Sequence, residues 1–329
     1  MKPEVSIIIV NWNTRELLKK CLESIHTKTR QIRYEVIVVD NASKDGSADM
    51  VRQYFPDVRL IENHENVGFG RANNQALAYC TGEYLLLLNP DTEFTDNVLK
   101  TVIAFMRDHE SVGLVGPKCI HPDGTIQVSW AQFPSLKTIF TNNVPWTTAL
   151  AMIPLFKKIL RSEAVYTNRG FTVDKPIPAQ SVDYVLGQFM LTRTDVIKRI
   201  GLFDNDVFMY EEEPDLCYRL KQNGFETWFL PDAEIIHHER QSIDQLPNAL
   251  EEEMDWFLSA RGHFYRKHYG LLKQQLFYGL MFINSIFKMM MFSVMLLDRT
   301  RKQYFRKKQY FHYYIVKWFL KGQFFAHSH

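Results

Sequence analysis

The first quarter of the chain alternates short apolar runs with helix-like segments. Val5–Val10 is a β-branched run, and Glu35–Asp40 repeats the pattern after a helical segment at Thr14–His26. Two buried strands joined through one helix form a βαβ unit, which requires a parallel sheet. Further strands are predicted at Val58–Ile61 and in the leucine run 84–88. The alternation therefore predicts an open, doubly wound α/β sheet.

The rest of the 329-residue chain is less regular. Residues 135–178 contain several prolines and a lysine pair, and we interpret them as an insertion lying over the active site. Beyond it, the pattern predicts strands at 181–185, 189–192, 228–230 and 234–237 and a helix at Pro214–Asn223. A helix is also predicted before the insertion, at Ala72–Tyr79.

Polar side chains stand where three of the apolar runs end. Asn11 and Asp40 follow the first two strands, and Asp91 follows the leucine run. Polar loops supply such residues by default, but parallel sheets bind ligands at the carboxyl ends of their strands. Three polar residues at one edge therefore favour a ligand crevice.

The stretch L-L-L-L-N-P-D-T-E at residues 85–93 is the sharpest case. A carboxylate at Asp91, fixed by the proline before it, can hold a hard divalent cation that grips phosphate oxygens. Asn89 and Glu93 are its neighbours in the pattern. On its own, N-P-D-T indicates only a turn.

The stretch N-V-G-F-G-R-A-N-N at residues 66–74 nearly matches the dinucleotide fingerprint G-x-G-x-x-G, with Asn73 in place of the third glycine. That fingerprint belongs in the first βα turn, whereas here it follows the third strand. The position disfavours an NAD-linked oxidoreductase. Glycines before a helix still allow a phosphate to approach, because the helix N-terminus attracts anions.

Three adjacent glutamates occupy residues 211–213, before Pro214 and Asp215. Mutual repulsion can raise the proton affinity of one of them and suit it to general-base work. The same residues also fit a helix N-terminus with proline at its first position. His237 ends a later strand and fits either a metal ligand or a structural histidine.

These motifs, taken in order, resemble the inverting glycosyltransferases of family 2. The similarity is carried by V-S-I-I-I-V-N-W-N, V-V-D-N-A-S-K-D-G-S, N-V-G-F-G-R-A-N-N, L-N-P-D-T-E, F-M-Y-E-E-E-P-D-L-C-Y-R and the late histidine, and it covers about residues 4–270. Within the family, the chain looks most like bacterial rhamnosyltransferases of polysaccharide biosynthesis. The resemblance implies a GT-A fold, a mixed and mostly parallel sheet flanked by helices, and a nucleotide-sugar donor.

The resemblance also implies roles for single residues. Asp40 would bind the nucleotide base, and Asn11, Asn66, Gly70, Asn73 and Asn89 would line the donor crevice. Asp91 stands at the last acid of the D-x-D metal motif, with Asn89 in place of its first, and His237 would be a further metal or diphosphate contact for Mg²⁺ or Mn²⁺. The general base falls on Glu213, where the family usually has aspartate, and Glu212 remains the alternative base.

The C-terminal region is strongly basic. No acidic residue follows Asp298, whereas eight lysines and arginines do, so residues 1–298 carry −6 when those eight are subtracted from the net charge of +2. The apolar run Leu276–Leu297 is interrupted by Asn284 and Lys288, which a membrane-spanning helix tolerates poorly at its centre. Basic and aromatic residues interleave at 304–311. This composition favours helices lying on an anionic membrane surface.

We therefore expect two regions, a GT-A domain at 1–270 and a helical membrane-associating appendage at 271–329. The basic tail also fits nucleic acid, but no nucleic-acid-binding motif accompanies it, and the apolar helices could equally pair two chains as a homodimer. Four scattered cysteines and the lack of a signal peptide indicate a cytoplasmic enzyme, peripheral to the inner face of the cell membrane. It would transfer a sugar, possible donors including thymidine diphosphate rhamnose, to a lipid-linked or polysaccharide acceptor. The alternative is a non-catalytic, membrane-associated nucleotide- or glycan-binding module.

Overall fold

The computed structural model describes residues 2–137, 177–239, 245, 248–296 and 302–322. Most of the insertion expected at 135–178 lies outside these residues. The described residues of segments 1–133 and 170–246 form one compact unit, and those of segments 134–169 and 247–329 form a second.

The first unit is an α/β structure. Its elements are, in chain order, β1 (Val5–Asn11), α1 (Arg15–Lys28), β2 (Tyr34–Asp40), α2 (Ser47–Tyr54), β3 (Arg59–Glu62), α3 (Phe69–Leu77), β4 (Tyr84–Leu88), β5 (Thr92–Phe94), α4 (Val98–Asp108), β6 (Val112–Ile120), β7 (Trp130–Ala131), β8 (Gln180–Val182), β9 (Tyr184–Val185), β10 (Phe189–Arg193), α5 (Thr194–Ile200), α6 (Glu212–Gln222) and β11 (Glu226–His237).

Nine of these strands form one mixed sheet in the order β3-β2-β1-β4-β10-β6-β11-β5, with β8 paired to β11. Strands β3, β2, β1 and β4 are parallel, and β11 is parallel to β6. Strand β10 enters the middle antiparallel to both β4 and β6, and β5 and β8 are antiparallel to β11. The expected mixed, mostly parallel sheet is confirmed.

The apolar runs have no polar face because helices cover both sides of the sheet. Ile7 and Ile9 of β1 belong to a core that includes Leu18 and Leu22 of α1. Ile8 belongs to the opposite core, which includes residues of α3, α5 and α6. Successive strand residues point to opposite faces, so each run is apolar on both faces, apart from the buried Ser6 of β1, which donates a hydrogen bond to Glu35.

Several element boundaries differ from the predicted ones. Helix α3 begins at Phe69 rather than Ala72, so the glycine motif lies within its first turn. The two late strands are one strand, β11, whose register shifts between Leu230 and Glu234. Helix α6 begins at Glu212, which makes Pro214 its third residue instead of its first.

The second unit contains α7 (Ala249–Tyr269), α8 (Leu271–Met295) and α9 (Lys302–Leu320). The expected boundary at residue 270 does not separate compact units, because α7 packs with the C-terminal helices. Tyr265 of α7 stacks on Phe277 of α8 at a centroid distance of 4.9 Å. The same core contains Trp318 of α9, whose indole nitrogen donates to Asp255 of α7 at 2.6 Å.

Helix α8 is the one helix among the described residues that is long and apolar enough to cross a membrane, by length and composition. In the first unit, all four cysteines are buried thiols, as expected for packing residues. Burial raises the pKa of Cys21 to about 12, so its thiol stays protonated and unreactive.

Candidate active site

The carboxyl ends of three parallel strands meet at one edge of the sheet. Asn11 of β1 pairs with Asp40 of β2, and Ile9 of β1 pairs with Leu88 of β4. The ends of β2, β1 and β4 are therefore neighbours, and Asn89 directly follows the third. This is the edge at which open α/β sheets bind ligands.

Asp40 is held by a buried network. Asn11 Nδ2 donates to Asp40 Oδ1 at 2.9 Å, and the backbone N–H of Ser43 donates to Oδ2 at 2.9 Å. Thr14 Oγ1 in turn donates to Asn11 Oδ1 at 2.7 Å. Asn11 has no exposed surface. It was expected to line the crevice, but it is fully buried and its hydrogen bond orients the Asp40 carboxylate.

Asn41 links the end of β2 to the glycine motif, and the motif-based prediction missed it although it directly follows Asp40. Its Nδ2 lies 3.2 Å from Asn66 Oδ1 and 3.3 Å from the Gly68 carbonyl oxygen. Asn66 Oδ1 also accepts the Gly68 N–H at 3.0 Å. The side chain of Asn66 is thereby fixed at the edge of the crevice.

The glycines of the motif serve close packing. A Cβ on Gly68, whose φ is +89°, would lie 2.5 Å from the Phe208 carbonyl oxygen, and one on Gly70 would lie 3.3 Å from Phe203 Cβ. Asn73 is buried and donates to the Phe69 carbonyl oxygen at 2.9 Å. Gly70 and Asn73, expected to line the crevice, therefore dock α3 against the segment that precedes α6.

That segment ends in strained backbone. Tyr210 and Glu211 have φ values of +73° and +67°, a conformation that costs a non-glycine residue about 1–3 kcal/mol. Two such residues in succession turn the chain sharply into α6, whose first two residues are Glu212 and Glu213. The turn places Glu212 beside the docked α3, with its Cγ 3.6 Å from the Cβ position of Gly70.

The two glutamates have different surroundings. Glu213 Oε1 accepts the backbone N–H of Gly187 at 2.9 Å. Glu212 is buried, and its Oε1 has no hydrogen-bond partner among the described residues. Burial raises the pKa of both carboxyls, and the neighbouring charge of Glu213 raises the pKa of Glu212 further. A backbone N–H stabilises a carboxylate, so Glu213 gives up its proton more readily than Glu212.

Asp91 lies between β4 and β5, where the chain leaves the middle of the sheet for its edge. The pairing of β5 with β11 sets Thr92 opposite His237. Asp91 Oδ1 then lies 3.2 Å from His237 Nε2, and both side chains are about nine-tenths buried or more. The two predicted metal ligands are therefore adjacent, although they are far apart in sequence.

This pair fits a divalent cation. Adjacent ligands of an octahedral ion lie about 3 Å apart when each is about 2.1 Å from the metal. Carboxylate oxygen and imidazole nitrogen are both ordinary ligands for first-row divalent metals. The nearby Glu93 is engaged elsewhere, since its Oε1 pairs with His238 Nε2 at 2.7 Å.

One chain of contacts joins Glu212 and Glu213 to the two candidate metal ligands, Asp91 and His237 (the cation pair). The backbone N–H of Asn89 donates to the Gln188 carbonyl oxygen at 3.1 Å, and the preceding residue, Gly187, holds Glu213. Asp91 follows Asn89 by two residues. The cation pair and the glutamates are therefore connected through neighbouring backbone segments, 89–91 and 187–188, at the carboxyl end of β4.

Comparison with known proteins identifies the family of this chain. Residues 6–169 match the family model described as "Glycosyl transferase family 2". The chain is 26% identical over 266 residues to the N-acetylglucosaminyl-diphospho-decaprenol L-rhamnosyltransferase of Mycobacterium tuberculosis, covering 75% of this chain and 80% of the relative. It is 29% identical over 245 residues to rhamnosyltransferase WbbL of Escherichia coli K12, covering 71% and 83%.

Solved structures show the same fold. The mannosyltransferase PcManGT from Pyrobaculum calidifontis, in complex with GDP-Man and Mn²⁺, superposes with a TM-score of 0.55 at 16% identity, covering 96% of this chain and 86% of that one. GalNAc-T7 with UDP, GalNAc and Mn²⁺ gives a TM-score of 0.54 at 16% identity, covering 80% and 50%. The chain belongs to glycosyltransferase family 2, has the GT-A fold and resembles the bacterial rhamnosyltransferases.

Proposed function

We propose that this enzyme transfers a sugar, with rhamnose the first candidate, from a nucleoside diphosphate donor to a hydroxyl of a lipid-linked acceptor, with inversion at the anomeric carbon. The rhamnosyltransferase names of the relatives support the sugar, and the diphospho-decaprenol in one of those names supports the acceptor. The nucleotides in the titles of the similar structures support the donor class.

The observation that carries the proposal is the difference between the surroundings of Glu213 and those of Glu212. Glu213 is partly exposed, and a backbone N–H stabilises its charge and fixes its position. An ionised carboxylate with a raised pKa is suited to accept a proton near neutral pH. Glu212 is buried and burial raises its pKa further, so it is the weaker candidate for the base, although the sequence alone left both open.

The reaction is a single displacement. Glu213 accepts the proton of the acceptor hydroxyl while that oxygen bonds to the anomeric carbon. The bond from this carbon to the diphosphate oxygen breaks on the opposite face, and the nucleoside diphosphate leaves with the bonding electrons. No covalent sugar–enzyme intermediate forms, and the product has the opposite anomeric configuration.

Asp40 and Asn66 line the nucleotide side of the crevice, with Asn41 joining them. Asn89 lies between this side and the cation pair. A divalent cation held by Asp91 and His237 would neutralise the negative charge that develops on the departing diphosphate.

Membrane association of the second unit completes the proposal, because a lipid-linked acceptor presents its sugar at the membrane surface on the cytoplasmic side. Helix α8 exposes one long apolar stripe, formed by Leu272, Leu276, Ile283, Ile286, Phe287, Met290 and Val294. These positions recur at helical spacing and cover about 33 Å at 1.5 Å per residue. The opposite side of α8 buries Asn284 and Ser285, which favours a helix lying in the interface over one that spans.

The stripe can be tested in the full-length protein. We expect Ile283→Glu/Met290→Glu to lose sedimentation with phosphatidylglycerol vesicles and to keep nucleotide binding, because both side chains are exposed. Gln275→Glu, exposed outside the stripe, is the matched control. Vesicle binding equal to the wild type would contradict the proposal. If light scattering shows that the double variant converts a dimer to a monomer, the stripe pairs two chains instead.

The activity is tested by thermal shift with thymidine, uridine and guanosine diphosphates, each with Mg²⁺ or Mn²⁺ and again with chelator. A ligand at about 100 times its Kd adds roughly 2.7 kcal/mol of stability. We expect stabilisation by one nucleotide only when metal is present, and NMR of the transfer product should show the inverted anomer. A folded protein that responds to none of these nucleotides, or a retained anomer, would refute the proposal.

A further inference from the structure

Gln127 is a buried residue outside every motif named above. Its backbone N–H donates to the Cys119 carbonyl oxygen at 2.9 Å, which fixes it beside the end of β6. Strand β6 is parallel to β11, and the two strands pair up to Ile120 and Ile236. The backbone therefore presents the Gln127 side chain to His237, the residue after that pair.

The amide orientation of Gln127 follows from its partners. Nε2 lies 2.7 Å from the His237 carbonyl oxygen and 2.7 Å from His121 Nδ1. A carbonyl oxygen only accepts hydrogen bonds, so the group that faces it must be the amide NH₂. The amide oxygen, Oε1, is then the atom that lies 2.9 Å from His237 Nδ1.

This orientation determines the tautomer of His237. Because Oε1 also only accepts, Nδ1 of His237 must carry the hydrogen. In the neutral imidazole, which has one N–H, Nε2 then carries a lone pair and faces Asp91 Oδ1 at 3.2 Å. Two lone-pair atoms at that distance repel each other unless a proton or a metal cation lies between them.

We propose that Gln127 is a positioning residue that holds His237 in the Nδ1–H tautomer and so keeps Nε2 available, with Asp91, for a divalent cation. The inference rests on the proposed metal dependence of the enzyme. Without Gln127, His237 can adopt the Nε2–H tautomer and donate a hydrogen bond to Asp91. That bond occupies both ligand atoms and competes with the cation.

The tautomer is read directly by NMR of metal-free protein labelled with ¹⁵N-histidine, with the His237 signals assigned by their loss in His237→Ala. We expect an Nδ1–H pattern in the wild type and an Nε2–H or mixed pattern in Gln127→Leu. An Nε2–H pattern in the wild type would overturn the proposal whether or not the protein binds metal.

The consequence for the cation is measured by electron paramagnetic resonance with Mn²⁺ alone. Loss of a residue that orients a ligand typically weakens metal affinity about 10–100-fold, and we expect this of Gln127→Leu. Gln127→Asn keeps an amide that is too short to reach His237, so it should weaken Mn²⁺ binding in the same way. It replaces the leucine variant in this test if that variant folds poorly. His121→Phe is the control, because it removes the other partner of Gln127 and leaves the contact with His237 intact.

A double-mutant cycle separates positioning from general damage. In a His237→Ala background, Gln127→Leu should weaken Mn²⁺ binding no further, because Gln127 acts only through His237. A further loss in that background would overturn the proposal. If wild-type Mn²⁺ affinity is unchanged by His237→Ala and by Asp91→Asn, the metal site itself is wrong, which is a different failure.

Discussion

Replacement of Gly187 by alanine tests how closely the general base must be placed. A Cβ at this position would lie 2.5 Å from Glu213 Oε1, whereas ordinary van der Waals contact begins at 3.4 Å. The carboxylate must therefore move by roughly 0.9 Å and lose its hydrogen bond from the Gly187 N–H. Misplacement of a catalytic group by about 1 Å can cost on the order of 10²-fold in rate.

We expect Gly187→Ala to lower kcat by about 10²-fold with little change in donor affinity, because the nucleotide side of the crevice is untouched. The fold should survive, since Gly187 does not have a positive φ and the clashing atom is the end of a flexible side chain. The assay is steady-state transfer with the donor identified by thermal shift. Gly279→Ala, where a Cβ meets nothing within 4 Å, is the matched control.

Two results would refute this reasoning. A kcat within about twofold of the wild type would show that the position of the Glu213 carboxylate does not limit the reaction. Even a tenfold change in rate corresponds to only about 1.4 kcal/mol in the height of the barrier. An equal drop in kcat when Gly187→Ala is made in a Glu213→Gln background would show that Gly187 acts by some route other than the base.

Three other substitutions follow from the site. Glu213→Gln should lower kcat about 10²–10⁴-fold without loss of donor binding, and unchanged kcat would remove Glu213 as the base. Burial raises the pKa of the Glu212 carboxyl in the folded protein above its value near 4.5 in the unfolded chain. The stability that the protonated carboxyl contributes is therefore full below pH 4.5 and is lost as pH rises through the folded-state pKa. Glu212→Gln should therefore raise Tm at pH 7–8, and the gain should vanish below pH 4.5; an equal gain at every pH would contradict this. Gly68→Ala should cost at least about 1–3 kcal/mol in urea unfolding, more than Gly46→Ala, which has a positive φ but meets no clash.

The row of strand ends at the crevice was predictable from sequence, because parallel strands with both faces covered must be apolar until they end. That pattern picked out Asp40 and Asp91 as candidate site residues. It could not tell which polar residue at a strand end faces the crevice. Asn11 and Asp40 look alike in the sequence, and only the hydrogen bonds show that the first supports the second.

Other features depend on packing between distant segments and leave no local signal. The antiparallel strand β10 lies in the middle of the sheet, although its sequence resembles any buried strand. Gly70 and Asn73 match a ligand-binding pattern, yet their place is set by the approach of α3 to the segment before α6. Gln127 lies in an unremarkable stretch, and only the pairing of β6 with β11 brings it to His237.

The crossing from β4 to β5 also sets the order in which the site can mature during synthesis. Glu93 and His238, which join β5 to β11, are 145 residues apart in the sequence, and contacts of such long range form late in folding. A nascent chain that ends before β11 already contains Asp40 and Asn66, so the nucleotide side can assemble early. The cation side needs His237 at the end of the first unit, so a chain released prematurely would lack the metal-dependent part of nucleotide binding.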